Sequence, residues 1–475
     1  MRRKSNMWIR SGVAVFVVFF VWLQLNFLSY SGSADTADLN ESATIFSMVP
    51  SVLHKFLTPR PRNVSNINGS ATNATYRTSL NITEIKKFIA QCNLQQTIYN
   101  EDLFGPLQND SVIIIVQVHD RITYLRHLIV SLAQAQDISQ ALLIFSHDIF
   151  DEEINSLVQS IDFCKVMQVF YPFSIQTHPN EFPGEDPNDC SRNLKRDEAL
   201  VQKCNNAPYP DLYGHYREAK FTQTKHHWWW KANRVFNQLE VTRNHTGLVV
   251  FLEEDHFVAQ DFIHVLKLMD NTCKTSCPQC NILSLGTYLK TFSYYADSKK
   301  KELLRAIKQQ ATVNVMQPSW TFQVLPSLYQ HTQKVEITPW ISSKHNMGMA
   351  FNRTTWNLIR NCSEFFCKYD DYNWDWSLQH VSQYCLKQRL HAMVIRGPRV
   401  FHIGECGVHH KKNNCESTGV ISKVQKVLKS AKNHLFPSYL TLTYVTPLKK
   451  TKIRKGNGGW GDRRDHMLCI GMTAR

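Results

Sequence analysis

The first 91 residues contain no cysteine, and no lysine or arginine falls between Arg10 and Lys55. Several catalytic signatures are absent too. Neither a G-x-G-x-x-G fingerprint nor a P-loop occurs, which argues against hydride transfer on a dinucleotide and against Walker-type ATP hydrolysis. There is no H-E-x-x-H helix of a zinc protease and no G-x-S-x-G elbow of a serine hydrolase. What is present, over 475 residues, is 43% hydrophobic and 11% aromatic. That excludes a fibrous or wholly disordered chain and suits one large or two ordinary domains.

The net charge of +15 would suit a nucleic-acid partner if it were spread along the chain. It is not. Residues 1–10 hold four basic side chains, and residues 409–475 hold 14 basic against three acidic, so residues 11–408 carry no net charge. No nucleic-acid partner is expected. Residues 11–30, SGVAVFVVFFVWLQLNFLSY, lack any charge and match the ~20 residues a bilayer-spanning helix needs. The basic tail before them predicts a cytosolic segment 1–10, a transmembrane anchor 11–30 and a lumenal remainder. A signal peptide cleaved near Ser31-Gly32-Ser33-Ala34 is the alternative. Residues 31–88 are rich in Ser, Thr, Asn and Ala, with N-x-S/T sequons at Asn40, Asn63, Asn68, Asn73 and Asn81, as in a glycosylated stem. Further sequons at Asn109, Asn244, Asn352 and Asn361 fall in the globular part, residues 89–475. The 13 cysteines, ten of them between Cys190 and Cys415, suit an oxidising lumen. With no second C-x-x-C, Cys277 and Cys280 read as a local disulfide rather than a zinc ribbon, and an odd total leaves at least one free thiol.

The β-branched run Val112 to Val118, the strand Ala141 to Phe145 and the strand Val166 to Tyr171 alternate with helical spacing at Leu125, Leu128, Ile129, Leu132 and at Ile154, Leu157, Val158, Ile161. This βαβαβ order predicts an α/β fold with a Rossmann-like, doubly wound nucleotide-binding half. Ligands in such folds sit at the carboxyl ends of the strands, where Gln117-Val118-His119-Asp120-Arg121 and His147-Asp148 fall. A fourth strand, Gly247 to Leu252, runs into Glu253-Glu254-Asp255-His256. Three acids at the end of a buried strand repel one another unless compensated, and a divalent cation such as Mg²⁺ or Mn²⁺ bridging to a diphosphate would compensate them.

Other clusters are dense in polar and aromatic groups. Gln223-Thr224-Lys225-His226-His227 leads to Trp228-Trp229-Trp230; three consecutive tryptophans cannot share one helix face, so sugar or base stacking competes with core packing as their role. In Asp370-Asp371-Tyr372-Asn373-Trp374-Asp375-Trp376, Asp375 lies between two tryptophans, where apolar surroundings raise a carboxyl pKa and favour a general base. Asp370 and Asp371 suit helix capping equally well. His402, after a strand-like Ala392 to Ile395 and the turn Gly397-Pro398, could ligate a metal or pack in the core. His409-His410-Lys411-Lys412 reads as a phosphate-binding or solvated basic loop.

Taken together, GHYREAKFTQTKHHWWWK, FLEEDH, LSLGTY, HNMG, YDDYNWDW, FHIGECG, HHKK and NGGWGDRRDH closely resemble the Golgi β-1,2-N-acetylglucosaminyltransferase II enzymes. These add N-acetylglucosamine to the α-1,6-arm mannose during complex N-glycan synthesis. The resemblance implies a type II Golgi membrane protein with a GT-A fold, an inverting transfer from UDP-N-acetylglucosamine to the N-glycan of a glycoprotein, and Mn²⁺. It implies Asp255 and His402 as metal ligands and Asp375 as base. It assigns Gln117, Val118, His119, Asp120, Arg121, Asp148, Gln223, Thr224, Lys225, His226 and His227 to the uridine and diphosphate. It also implies the disulfides Cys190–Cys204, Cys277–Cys280, Cys362–Cys385, Cys367–Cys469 and Cys406–Cys415, leaving Cys92, Cys164 and Cys273 over. A homodimer stays open. Departures are Asp120 in place of Asn, Glu405 in place of Asp, and an unmatched segment at about 289–334, where Lys290 is the substitute available for a family arginine. Two rival readings remain. One is a GT-A transferase with another acceptor; the other is a catalytically inactive glycan-binding protein, which would not need Asp255, His402 and Asp375 together.

Overall fold

The computed structural model describes residues 46–58, 80–287, 332–404, 418–445 and 455–473. The anchor 11–30, Lys290, Glu405, the pair Cys406 and Cys415 and the basic loop 409–412 lie outside them. No helix among the described residues is long and apolar enough to cross a membrane.

Twelve strands are described: β1 Ile98–Tyr99, β2 Ile113–Val118, β3 Leu142–His147, β4 Lys165–Phe170, β5 Val249–Glu253, β6 His256–Val258, β7 Cys280–Ser284, β8 Lys334–Pro339, β9 Met349–Phe351, β10 His391–Ile395, β11 Val400–His402 and β12 Thr441–Tyr444. Ten form one mixed sheet in the order β1-β4-β3-β2-β5-β9-β7-β10-β8-β12, and β11 pairs with β6 in a separate ribbon. The run β4-β3-β2-β5 is parallel throughout. Its strands are buried at nearly every position, as expected of strands covered on both faces. Because β3 and β4 are laid down on one side of β2 and β5 on the other, the order reverses between β2 and β5, which opens a crevice at their carboxyl ends. The expected α/β, doubly wound half is therefore present. Beyond it, β9 is antiparallel to both β5 and β7, making the sheet mixed.

The principal helices are α1 Ile82–Gln95, α2 Ile122–Ala133, α3 Glu152–Gln159, α4 Ala219–Asn233, α5 Phe262–Ser276, α6 Arg353–Arg360, α7 Ser363–Lys368, α8 Trp374–Tyr384, α9 Thr418–Ala431 and α10 Arg463–Thr473. One core joins the sheet to α2, α3 and α5 on one face; the other joins it to α4, α6, α7, α8 and α10. Helix α1 begins in the sequon at Asn81, whose side chain accepts from the Glu84 amide in a capping box. It packs Ile85 and Ile89 on Phe170, and Val49 and Phe56 are buried in the main core. The packed unit thus reaches into the 31–88 stretch. A few apolar residues there suffice to dock, although they are too sparse to show a period.

All three tryptophans of α4 belong to the core, which settles their two possible roles in favour of packing. Trp228 stacks on Trp374 with ring centroids 4.5 Å apart, Trp229 on Phe366 at 4.3 Å, and Trp230 meets Tyr171 edge-on at 5.8 Å. Four of the disulfides implied by the resemblance are formed, Cys190–Cys204, Cys277–Cys280, Cys362–Cys385 and Cys367–Cys469; Cys92, Cys164 and Cys273 are thiols. Trp228→Ala should cost about 3–5 kcal/mol of stability, read as a lowered denaturant midpoint. Nucleotide affinity of the folded fraction should be unchanged, and a selective loss of ligand binding would contradict the core assignment.

Candidate active site

The crevice between β2 and β5 collects charges from four strand ends. After β2, Arg121 stands where its guanidinium can fork: Nε donates to Glu254 Oε1 at 2.6 Å and Nη1 to Asp255 Oδ2 at 2.8 Å. The His119 amide donates to the other Glu254 oxygen at 2.7 Å. Glu254 and Asp255 are both buried. Burial drives the Glu254 carboxyl up despite these partners. Asp255 is held below the usual carboxylate range, because the burial that would raise it is outweighed by His402 and Arg121.

Beside them lies a second node. Asp148, at the end of β3, faces His119 Nδ1 at 2.5 Å, accepts from Gln223 Nε2 at 3.0 Å and lies 3.6 Å from His227 Nδ1. Burial opposes charge on His119, but Asp148 and Glu254 push its imidazolium up to about 9. His227 instead falls to about 4 through burial, its Nε2 meeting Ser146 Oγ at 2.8 Å. Gln117 accepts from the buried Lys231 at 2.6 Å and faces His119 at 3.3 Å. Burial pulls that ammonium down to about 7. Gln117, His119, Arg121, Asp148, Gln223, His227, Asp255 and His402 thus form one continuous polar patch. Val118 contributes a buried side chain and a carbonyl that accepts from the Asp148 amide.

The remaining expected nucleotide contacts differ in exposure and partners. Asp120 is exposed to solvent and Thr224 is half-buried on α4. Lys225 faces away, donating to the carbonyls of Tyr369 and Asp371 at 3.0 and 2.9 Å over the Trp460 ring. His226 meets the Asp465 carbonyl at 3.1 Å. Lys225 is thus held between the 369–371 segment and Trp460, and His226 against α10.

His402 is the last residue of β11, and its pairing with His256 of β6 brings Nε2 to 3.3 Å from Asp255 Oδ2. Asp255 Oδ1 is buried and has no hydrogen-bond partner among the described residues. Glu253, Asp255 and His256 also present ligand atoms within 4.8 Å of one another. A buried carboxylate oxygen left unpaired beside imidazole and carboxylate donors fits a divalent cation. Space is tight around it, since a Cβ on Gly404 would stand 2.3 Å from Asp255 Oδ2.

Asp375 sits in the first turn of α8. Its Oδ2 accepts from Ser342 Oγ at 2.7 Å, the Ser343 amide at 3.2 Å and Asn346 Nδ2 at 3.3 Å. Burial, with the charge of Asp371 adding to it, raises the carboxyl to about 6 against the opposing pull of Ser342. Asp370 and Asp371 are structural. Asp370 accepts from the amides of Leu212 and Trp460, and Asp371 from those of Asn373 and Asn457. The loop that clamps Asp375 continues to Gly348, where φ is +56° and a Cβ would meet Val400 at 2.6 Å. One turn therefore links the Asp375 clamp to the strand carrying His402, and only glycine fits there. Sequence reasoning missed Ser342 and Asn346 as partners of Asp375, although HNMG marked the segment. It also missed that Arg121 compensates the acids.

Comparison with known proteins makes this α/β chain a glycosyltransferase. The family model for N-acetylglucosaminyltransferase II (MGAT2) matches residues 86–325 and 321–469, its break falling within the segment 289–334. The alpha-1,6-mannosyl-glycoprotein 2-beta-N-acetylglucosaminyltransferase of Rattus norvegicus is 44% identical over 384 residues, covering 81% of this chain and 79% of the relative. The enzymes of that name from Homo sapiens and Arabidopsis thaliana are 42% identical (81% and 78% covered) and 32% identical (78% and 76% covered). The chain belongs to the N-acetylglucosaminyltransferase II family.

Gly404→Ala should push the Asp255 carboxylate out of place and weaken divalent-cation binding by about 10- to 100-fold, the effect typical of disturbed supporting groups. Calorimetric titration of Mn²⁺ in the absence of acceptor checks this; unchanged affinity would remove Asp255 from the cation site.

Proposed function

We propose that this chain transfers N-acetylglucosamine from UDP-N-acetylglucosamine, in β-1,2 linkage and with inversion, to the α-1,6-arm mannose of N-glycans in complex N-glycan synthesis. The observation that carries the reading is its family membership, with 42–44% identity to three mammalian enzymes of that name across 81% of the chain. The finer assignments are a GT-A fold and a single-pass type II Golgi membrane protein with its catalytic domain in the lumen. Residues 11–30 and the basic tail before them support that orientation.

In this mechanism Asp375 takes the proton from the mannose 2-hydroxyl as that oxygen attacks the sugar C1 from the face opposite the departing UDP. Ser342, Ser343 and Asn346 keep one carboxylate oxygen oriented, while burial keeps the group basic enough for the task. Arg121 and His119 supply fixed positive charge beside the diphosphate, and Gln117, Asp148 and Gln223 offer polar groups to the uridine. Asp255 and His402 would hold Mn²⁺, which when bound offsets negative charge on the diphosphate leaving group.

The test is a transfer assay with UDP-N-acetylglucosamine and a defined mannosyl acceptor, with and without Mn²⁺. Asp375→Asn should lower kcat by about 10²- to 10⁴-fold, the usual contribution of a general base, while UDP affinity persists; near-normal turnover would remove Asp375 from the role. Because the base must be ionised, kcat should fall as pH drops through about 6. Ser342→Ala removes a donor that stabilises the carboxylate, so this acid limb should move to higher pH. A limb that stayed in place would separate Ser342 from the titrating group.

A further inference from the structure

Two sequons of the globular body converge at the end of the sheet opposite the crevice. Asn109 lies four residues before β2, and Asn244 lies five residues before β5. Since β2 and β5 are parallel neighbours, both loops sit at the amino ends of the strands whose carboxyl ends carry Gln117 to Arg121 and Glu253 to Asp255. A six-residue strand separates the poles by about 20 Å. The two loops are tied directly: the Thr246 amide donates to the Asn109 carbonyl at 2.8 Å and the Gly247 amide to the same oxygen at 3.2 Å. Asn109, Asn244 and Thr246 are all exposed. Asn352 reaches this pole too, through the Phe351 and Val249 pairing, but is half-buried and caps α6 with its side-chain oxygen.

We propose that Asn109 and Asn244 carry N-linked oligosaccharides that together cover this pole. The inference rests on the lumenal orientation proposed above. In the modification, Nδ2 of each asparagine bonds to C1 of an oligosaccharide delivered on a polyprenyl diphosphate. The C1–O bond to the diphosphate breaks, the lipid diphosphate leaves with the bonding electrons, and Nδ2 loses one proton; nothing is oxidised or reduced. The placement has a functional consequence. Bulky hydrated glycans at the amino pole leave the carboxyl pole open to an acceptor that is itself attached to a protein, whereas glycans at the crevice would compete with it.

The full chain, made in a eukaryotic secretory host, is digested with peptide:N-glycosidase in H₂¹⁸O, so that every occupied asparagine becomes ¹⁸O-labelled aspartate in peptide mass spectra. Label is expected at both Asn109 and Asn244. Asn109→Gln and Asn244→Gln should each remove one glycosidase-sensitive mobility step with kcat/KM unchanged. Label at Asn40, Asn63, Asn68 or Asn73 with none at Asn109 and Asn244 overturns the inference and leaves the lumenal orientation standing. Absence of label at every sequon of the chain overturns both. A fall in kcat/KM after enzymatic deglycosylation of the native protein would overturn the separation of the glycans from the site.

Discussion

The acids that end β5 are the constraint around which the molecule is arranged. Glu254 and Asp255 are carried into the interior by an apolar strand, and a buried carboxylate without a partner costs several kcal/mol. Arg121 meets both at once. It can do so only because β2 pairs in parallel with β5, with Gln117 opposite Glu253, so a residue just past β2 lies beside the acids. Helix α2 starts immediately after Arg121, adding the positive end of a helix dipole on the same side. Arg121 and the acids bring opposite charges to one crevice, one able to face a diphosphate and the other a cation. Among the described residues Asp255 Oδ1 is left unpaired.

Helix α4 serves several purposes along its different faces. Gln223, His227 and Lys231 recur every four residues and face Asp148 and Gln117. Trp228 and Trp229 enter the core, Lys225 donates to the Asp371 carbonyl over the Trp460 ring, and His226 meets the Asp465 carbonyl. From Lys225 to Asn233 the helix is buried on all sides, so this stretch carries polar groups and tryptophans without an amphipathic stripe. Each buried polar group then needs a named partner. Lys225, pulled down to about 7 by burial, has two carbonyls and an indole face instead of a carboxylate.

That lack of a stripe explains what the sequence could and could not reveal. The parallel strands were readable because residues such as Ile113 to Val116 are apolar without interruption, and the acid motif because it follows such a strand directly. The direction in which Lys225, His226 and the tryptophans point was not readable, since a run that is buried all round has no periodicity to orient it. The antiparallel β9 is three residues long, too short to show alternation. Ser342 and Asn346 reach Asp375 across 33 and 29 positions. Only tertiary folding brings them together, and short polar residues in a loop carry no sign of such a role.

Part of the basic surplus near the C-terminus has a structural meaning in the same terms. Arg464 contacts Asp189 and Asp462, both at 2.7 Å. Asp465 of α10 receives Arg217 at 2.8 Å in a pair whose side chains are nearly inaccessible, and Lys455 lies over the Tyr213 ring. Arg217 also donates to the carbonyls of Pro183 and Gly184 and to Thr222, so the loop at 183–189, the start of α4 and α10 are joined through one guanidinium. These contacts are short-range and satisfied within the protein, which makes them poor at attracting a polyanion. In the crevice, Arg121 and His119 are cations held in place by carboxylates. A diphosphate entering the crevice would meet cations that are already oriented, so little side-chain ordering is needed on binding.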